Sequence, residues 1–481
     1  MEYLEHAKQS GIKNLIENYK VEILKQLAAL VAIPSLPTYT TEDGIPMGPE
    51  IIHALHAALE LSDQLGFKTH NEDDKFGWAE VGEEGPLVCI FVHLDIVPPV
   101  DGCLHDPYTM VEEDGWLYAR GILDNKGPAI ACLYALKVCC DVTPSWPCRV
   151  RIYFGTNEET GMNDVQLYIK KYGVPDYAFV PDSQFPLSYS ELGTSNFEVR
   201  SHYNPEKEVS DLKLSGVKLK EHPNGIPPIT EVWIDVANEG LAKEVCEKVA
   251  AFAKENSYDM HAEAEGCKVH ITSNGTNAAH WNEPWTATNA LSHMILFLHT
   301  LSLGSGADKL LAFVAEKVGN ETDGDSLGLK VKTETAELSI ATEEMILDEQ
   351  GLAVKFFMIV PAETRMELHF DAILRQLRMR GLDLTLRSFG PGFLLDKNAP
   401  LLKALYASYC EETGNSDPIK VCGGTYAKFV PGAVPFGAIF NDEKDICHVP
   451  NERIEVSDLM DWTRIYSNAI LRIADLIETS K

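Results

Sequence analysis

Five short segments, spread from residue 93 to residue 448, each offer a side chain able to hold a divalent cation. They are His93-Leu-Asp95, Asp124-Asn-Lys-Gly127, Glu158-Glu159-Thr-Gly161, Pro181-Asp182 and His448. Three of them follow apolar runs: Leu87–Val92 precedes His93, Val150–Phe154, apolar but for Arg151, precedes Glu158, and Tyr177–Val180 precedes Asp182. Such runs read as buried parallel strands, and open α/β sheets gather their ligands beyond the carboxyl ends of strands. Taken singly, each segment is ordinary. An acidic pair solvates a helix start, Asp124 suits a turn beside Gly127, Asp182 suits an N-cap, and one histidine among fifteen suits the surface. Their order and context carry the chemistry.

That chemistry is hydrolysis at a pair of metal ions. Two divalent ions about 3.5–4 Å apart repel each other and need a carboxylate bridging them, a role that suits Asp124. His93 with Asp182 would serve one ion, and Glu159 with His448 the other, leaving each near-tetrahedral shell open to water. Glu158, beside a ligand but outside the metal shell, would accept a proton from water and pass it to the leaving amine. Asp95 would orient the His93 imidazole from behind. Two Zn2+ per chain are expected, with Mn2+ or Co2+ as alternatives.

The elements that must position these residues are legible around them. A chain of 481 residues exceeds what one core usually supports, so two or three domains are expected. Apolar side chains at helical spacing over Val21–Ala32 stop at Ile33-Pro34-Ser35, and a second helix covers roughly Glu50–Leu65. Helices Pro128–Cys140 and Asp164–Tyr172 alternate with the apolar runs, the pattern of a doubly wound sheet. After Ser190 the texture changes to alternating strands at Asn196–His202, Thr230–Val236 and Gly266–Thr272, a helix near Leu241–Glu255 and a helix-rich stretch Asn289–Val318. From Leu401 the first pattern returns, with a helix to Thr413, a strand at Pro435–Phe440 and a closing amphipathic helix Ser457–Thr479. The expected fold is α/β. A catalytic domain of residues 1–190 and 386–481 has a mostly parallel central sheet, and residues 191–385 form an inserted α+β domain.

Composition narrows the class. The formal net charge of −31 disfavours nucleic acid and anionic membrane as partners. Eleven cysteines, an odd number without a Cys-x-x-Cys pair, form no secreted disulfide framework and suit a reducing compartment. The start, Met1-Glu-Tyr-Leu-Glu-His, lacks the order of a signal peptide, so a cytoplasmic protein is expected. The longest charge-free stretch, Pro284–Ala307, contains His293 and His299 and reads as a buried helix rather than a membrane span.

The ordered motifs resemble those of the co-catalytic zinc peptidases of metallopeptidase family 20, most closely its dipeptidase V and carnosinase-like branch. The resemblance runs nearly end to end. It rests on Leu30-Val-Ala-Ile-Pro-Ser35, His93-Leu-Asp-Ile-Val-Pro98, Arg120-Gly-Ile-Leu-Asp-Asn-Lys-Gly-Pro128 and Gly155-Thr-Asn-Glu-Glu-Thr-Gly161. Val180-Pro-Asp-Ser-Gln-Phe-Pro186, Gly423-Gly-Thr-Tyr-Ala427 and His448-Val-Pro-Asn-Glu452 complete it. It implies that the inserted domain is a lid, enlarged so that one chain does what a dimer does elsewhere; monomer and homodimer both stay open. It also implies an oxyanion-stabilising lid histidine, which matches His280 in Ala278-Ala279-His280, and a substrate segment matching Asn224-Gly-Ile-Pro227. Thr425 and Lys428 fall in the closing motif and are implied as substrate contacts.

Three positions depart from the family pattern. Residue 125 is Asn where the commonest loop has a second Asp, as carnosinase-like members also show. Lys428 stands where dipeptidase V has Arg, which keeps the charge and loses the bidentate fork. The lid arginine that binds the substrate carboxylate falls on Ile359, in Phe356-Phe-Met-Ile-Val-Pro361. The expected function is cleavage of one amide bond in a small peptide-like substrate, an unblocked dipeptide first, with β-Ala-Xaa among the candidates. The alternatives are an N-acyl-amino-acid deacylase of the same family and a non-catalytic binding protein that keeps the fold.

Overall fold

Strand Leu87–His93 is buried along its whole length and carries no charged side chain before His93. A strand apolar on both faces needs cover on both, which a central place in a helix-flanked sheet provides. In the computed structural model, which describes residues 2–42, 44–143, 145–220, 225–276, 283–440 and 446–480, that is its place. The sheet contains β1 (Lys68–Glu72), β2 (Phe76–Val81), β3 (Leu87–His93), β4 (Arg149–Gly155), β5 (Tyr177–Val180) and β6 (Val434–Pro435), in the order β6-β5-β3-β4-β2-β1. The four strands from β6 to β4 run parallel, and β2 and β1 are antiparallel additions at one edge. The central sheet is therefore mostly parallel, as expected.

Helices cover it: α1 (Ile12–Val31), α2 (Pro49–Gln64), α3 (Lys126–Val142), α4 (Asn163–Tyr172), α5 (Pro400–Thr413) and α6 (Val456–Thr479). Helix α3 is buried almost all round because it packs against both α1 and α6, and α6 also packs on α5. Gly127 in the first turn of α3 is required by close approach: a Cβ there would strike the Ile122 carbonyl oxygen and lie 3.2 Å from the buried Trp462 ring of α6. The start of α3, and with it the Asp124 loop, is thereby pressed against the closing helix.

The chain folds as two units, Met1–Glu191 with Leu394–Lys481, and Leu192–Phe393. The second is α+β, with its own apolar core. One four-stranded antiparallel sheet runs Ser339–Asp348, Gly351–Val360, Gly193–His202, Asp383–Gly390; the other runs Leu212–Leu219, Ile229–Val236, Lys268–Asn274, Asp259–Glu265. A break at 385/386 would cut strand Asp383–Gly390 in two. That strand pairs with Gly193–His202 from Arg200 to Thr194 and stays whole in the second unit.

The reading of Pro284–Ala307 as one helix is corrected. The stretch holds a single turn at Pro284–Thr286, a helix Ala290–Leu298 buried at eight of its nine residues, and the start of a second helix, Ser305–Lys317. Gly304, at φ 108°, turns the chain between the two helices. Among the described residues no helix is long and apolar enough to cross a membrane. All eleven cysteines lie outside any disulfide.

Candidate metal centre

The parallel strands end where the sequence places its candidate ligands. His93 is the last residue of β3, level with Gly155, the last of β4. Glu158 and Glu159 follow β4 within a turn, and Asp182 follows β5 by two residues. A Cβ at position 155 would strike the Tyr426 hydroxyl and come within 2.8 Å of Asp164 Oδ2, so only glycine lets β4 end here. Asp164 anchors the turn that follows, accepting from Thr156 N (2.8 Å), Asn157 N (3.2 Å) and the Tyr426 hydroxyl (2.6 Å).

Asp124 stands at the centre. Its Oδ1 lies 2.8 Å from His93 Nε2 and its Oδ2 lies 3.0 Å from His448 Nε2, so one carboxylate offers one oxygen to each imidazole. His93 Nε2 is also 3.6 Å from Asp182 Oδ2, and His448 Nε2 is 3.1 Å from Glu159 Oε2. Both expected ligand pairs thus flank the expected bridge. The donor atoms of His93, Asp124 and Glu159 lie within 4.8 Å of one another, and so do those of His93, Glu158 and Asp182. Glu158 therefore comes within reach of the donor set rather than standing clear of it.

Asp95 does more than stand behind His93. The His93 Nδ1 proton goes to the Asp95 backbone carbonyl (3.0 Å), which leaves Nε2 to face Asp124. The Asp95 carboxylate, 3.4 Å from the same Nδ1, accepts from the backbone N–H groups of Glu158 and Glu159, both at 3.1 Å. One aspartate thereby sets the imidazole and the paired glutamates together.

Two residues of the Asp124 loop are fully buried and were not assigned roles from sequence. Asn125 donates to the Pro181 carbonyl (2.7 Å) and to Asp182 Oδ1 (3.3 Å), and accepts from His93 N (3.4 Å), tying three ligand-bearing segments to one amide. Lys126 donates to the Ile33 carbonyl (2.6 Å), and burial pulls its ammonium down to about 7. Glu452 and Arg120 are also buried and paired at 2.6 Å. Each of these lies in a motif singled out above, and the signal was a charged or amide side chain inside an otherwise Gly- and Pro-punctuated turn.

The electrostatics is that of an acid cluster short of positive charge. Burial, then repulsion by Asp124, pushes Glu159 up to about 7 and Asp182 up to about 8. Burial and the Asp182 charge push Glu158 well above the usual carboxylate range. Asp124 is held low despite its burial because the His448 and His93 imidazoles both bond to it. Carboxylates and imidazoles in this arrangement suit divalent cations with mixed oxygen and nitrogen ligands.

The implied substrate contacts are less uniform. Thr425 is buried, and its hydroxyl donates to Glu191 Oε1 (2.7 Å) and accepts from Ala427 N (3.1 Å), so it holds its own turn. The Lys428 stem lies over Gly424. Burial lowers its ammonium, while Glu191, Cys422 and Glu158 act the other way. Ile359 is buried within a strand, paired with Thr194 and Ser339. His280 and Asn224 lie outside the described residues.

Fold and cluster together define an α/β protein with a candidate metal centre. The chain belongs to peptidase family M20/M25/M40, whose model matches residues 89–472. Similar curated proteins include "Putative dipeptidase SAB1611c" of Staphylococcus aureus (strain bovine RF122 / ET3-1), 29% identical over 467 residues, covering 95% of this chain and 98% of the relative. "Putative dipeptidase SH1171" of Staphylococcus haemolyticus (strain JCSC1435) is 28% identical over 466 residues, with the same coverage. Among solved structures, human carnosine dipeptidase 1 aligns with a TM-score of 0.59 at 16% identity, over 97% of this chain and 98% of that one. The di-peptidase Dug1p of Saccharomyces cerevisiae aligns with a TM-score of 0.56 at 14% identity, over 99% of each chain. Membership of this peptidase family makes the chain a peptidase and so a hydrolase.

Proposed function

We propose that the chain is a dizinc dipeptidase. The observation that carries this reading is Asp124, which offers Oδ1 at 2.8 Å to His93 and Oδ2 at 3.0 Å to His448. His93 and Asp182 would hold one ion, Glu159 and His448 the other, with Asp124 between them. The pair would supply the Lewis acidity that makes water a nucleophile at neutral pH.

This chain's residues do the rest. The Asp95 carbonyl fixes the His93 tautomer, and the Asp95 carboxylate fixes the turn that aims Glu158 into the cluster. Glu158 takes a proton from the attacking water and returns it to the departing amine, a step typically worth about 10²–10⁴-fold. Lys428 is the cation we assign to the substrate carboxylate.

A second reading, an N-acyl-amino-acid deacylase of the same family, would use the same centre. It differs from the first at the substrate's amine, free in a dipeptide and blocked in an N-acyl amino acid, while both substrates keep the C-terminal carboxylate. Metal-loaded protein incubated with a dipeptide and N-acyl-amino-acid library, read by mass spectrometry, separates the two. Cleavage of unblocked dipeptides alone supports the dipeptidase, cleavage of N-acyl compounds alone the deacylase, and cleavage of neither, with two ions bound, removes both.

A further inference from the structure

We propose that Glu452 is a positioning residue that sets the separation between the two halves of the centre, an inference that rests on Asp124 and His448 being ligands. Its side chain is 2% exposed, and both carboxylate oxygens are fully used. Oε2 accepts from Arg120 Nη1 (2.6 Å) and from Gly121 N (3.0 Å). Oε1 accepts from Leu123 N (2.9 Å) and from Asp124 N itself (3.2 Å). Four donors from one loop thus converge on a residue four positions beyond His448.

The tie is made twice more. Arg120 Nη2 donates to the Val449 carbonyl (3.3 Å), next to His448, and the Glu452 carbonyl accepts from Ala119 N (3.3 Å). Immediately beyond, Arg453–Glu455 pairs antiparallel with Trp116–Tyr118. The segment delivering Asp124 and the segment delivering His448, over three hundred residues apart in sequence, are clamped into one unit. The clamp is needed because the His448 segment follows an unfavourable path. His448 and Asn451 both have left-handed backbones, at φ 62° and 65°, which non-glycine residues keep only where their surroundings hold them.

An ion pair kept only for stability would need Arg120 and no more. Here three backbone N–H groups share the same carboxylate, and an amide could not serve them, since its NH2 would face donors instead of acceptors. Losing the acceptor frees the Asp124 backbone, and with it the angle at which the carboxylate presents one oxygen to each side. Residues behind a metal ligand typically change metal affinity by about 10–100-fold when removed.

The test uses full-length E452Q and E452D, with zinc affinity measured by competition against a chromogenic chelator. E452D keeps the charge opposite Arg120 and retracts the carboxylate by one methylene, so it serves if E452Q does not fold. Both variants should lose at least about 10-fold in affinity for zinc, with E452Q losing more and the weaker-bound ion affected most. If E452D melts lower in chelator yet keeps both zinc affinities within threefold of the unaltered protein, Glu452 is only a structural partner of Arg120 and the proposal is overturned. D124A measured alongside keeps two failures apart. Retention of both ions in D124A overturns the assignment of the centre, whereas loss of both in D124A with unchanged affinity in the Glu452 variants overturns Glu452 alone.

Discussion

His93 and His448 meet the same aspartate from two kinds of backbone. His93 ends a central strand, its side chain is 1% exposed, and its second nitrogen is fixed by a carbonyl two residues on. His448 sits in a turn with a left-handed backbone, its side chain is 51% exposed, and the contacts that place it run through its neighbours Val449 and Glu452. One histidine is placed by the end of a sheet strand. The other is delivered by a returning loop and depends on a buried clamp. The lesson is that one aspartate can join a histidine placed by a strand to one held in a turn through the hydrogen bonds of its neighbours.

The largest expected effect comes from removing what the two halves share. Asp124→Ala should release both ions and reduce turnover to background, because each half loses an oxygen and the acids left behind repel one another. Metal analysis by plasma mass spectrometry checks this; retention of one ion would mean that Asp124 serves a single half.

Glu158→Gln should lower kcat by about 10²–10⁴-fold while metal content stays near normal. Loss of an ion would instead make Glu158 a ligand, an outcome its proximity to His93 and Asp182 makes worth measuring.

The asymmetry between the histidines should appear in stability. In chelator, His93→Ala removes a buried partner of Asp124 and should cost about 1–3 kcal/mol in denaturant unfolding. His448→Ala also unpairs Asp124, but at a half-exposed site that water can reach, and should cost less than His93→Ala by at least about 0.5 kcal/mol. Equal losses would erase the distinction between a sheet-held and a loop-held half.

The smallest effect concerns the substrate end. Lys428→Met should raise KM for a dipeptide more than for its C-terminal amide, by about 10-fold in the ratio, since only the dipeptide brings a charge to be matched. An unchanged ratio would remove Lys428 from carboxylate recognition.

What was legible in the sequence follows the same division. Apolar runs located β3 and β5, and β4 despite the Arg151 inside its run, with the candidate ligands beyond them, because burial on both faces leaves a periodicity-free signature that survives in one dimension. His448 was legible only through the motif around it. Asn125, Glu452 and Glu191 were not assigned roles, since a polar side chain becomes a buried hub only through partners far away in the chain. The same holds for Thr425, implied as a substrate contact yet engaged with Glu191. Pro284–Ala307 misled because a charge-free stretch says that a segment is buried and not where its helix breaks.

The measurement closest to the central claim is the metal stoichiometry of zinc-saturated protein, taken with dipeptide turnover before and after chelation. Two ions per chain, with activity lost in chelator and restored by zinc, is the predicted result. Fewer than one ion per chain after saturation, with turnover undiminished in chelator, would contradict it.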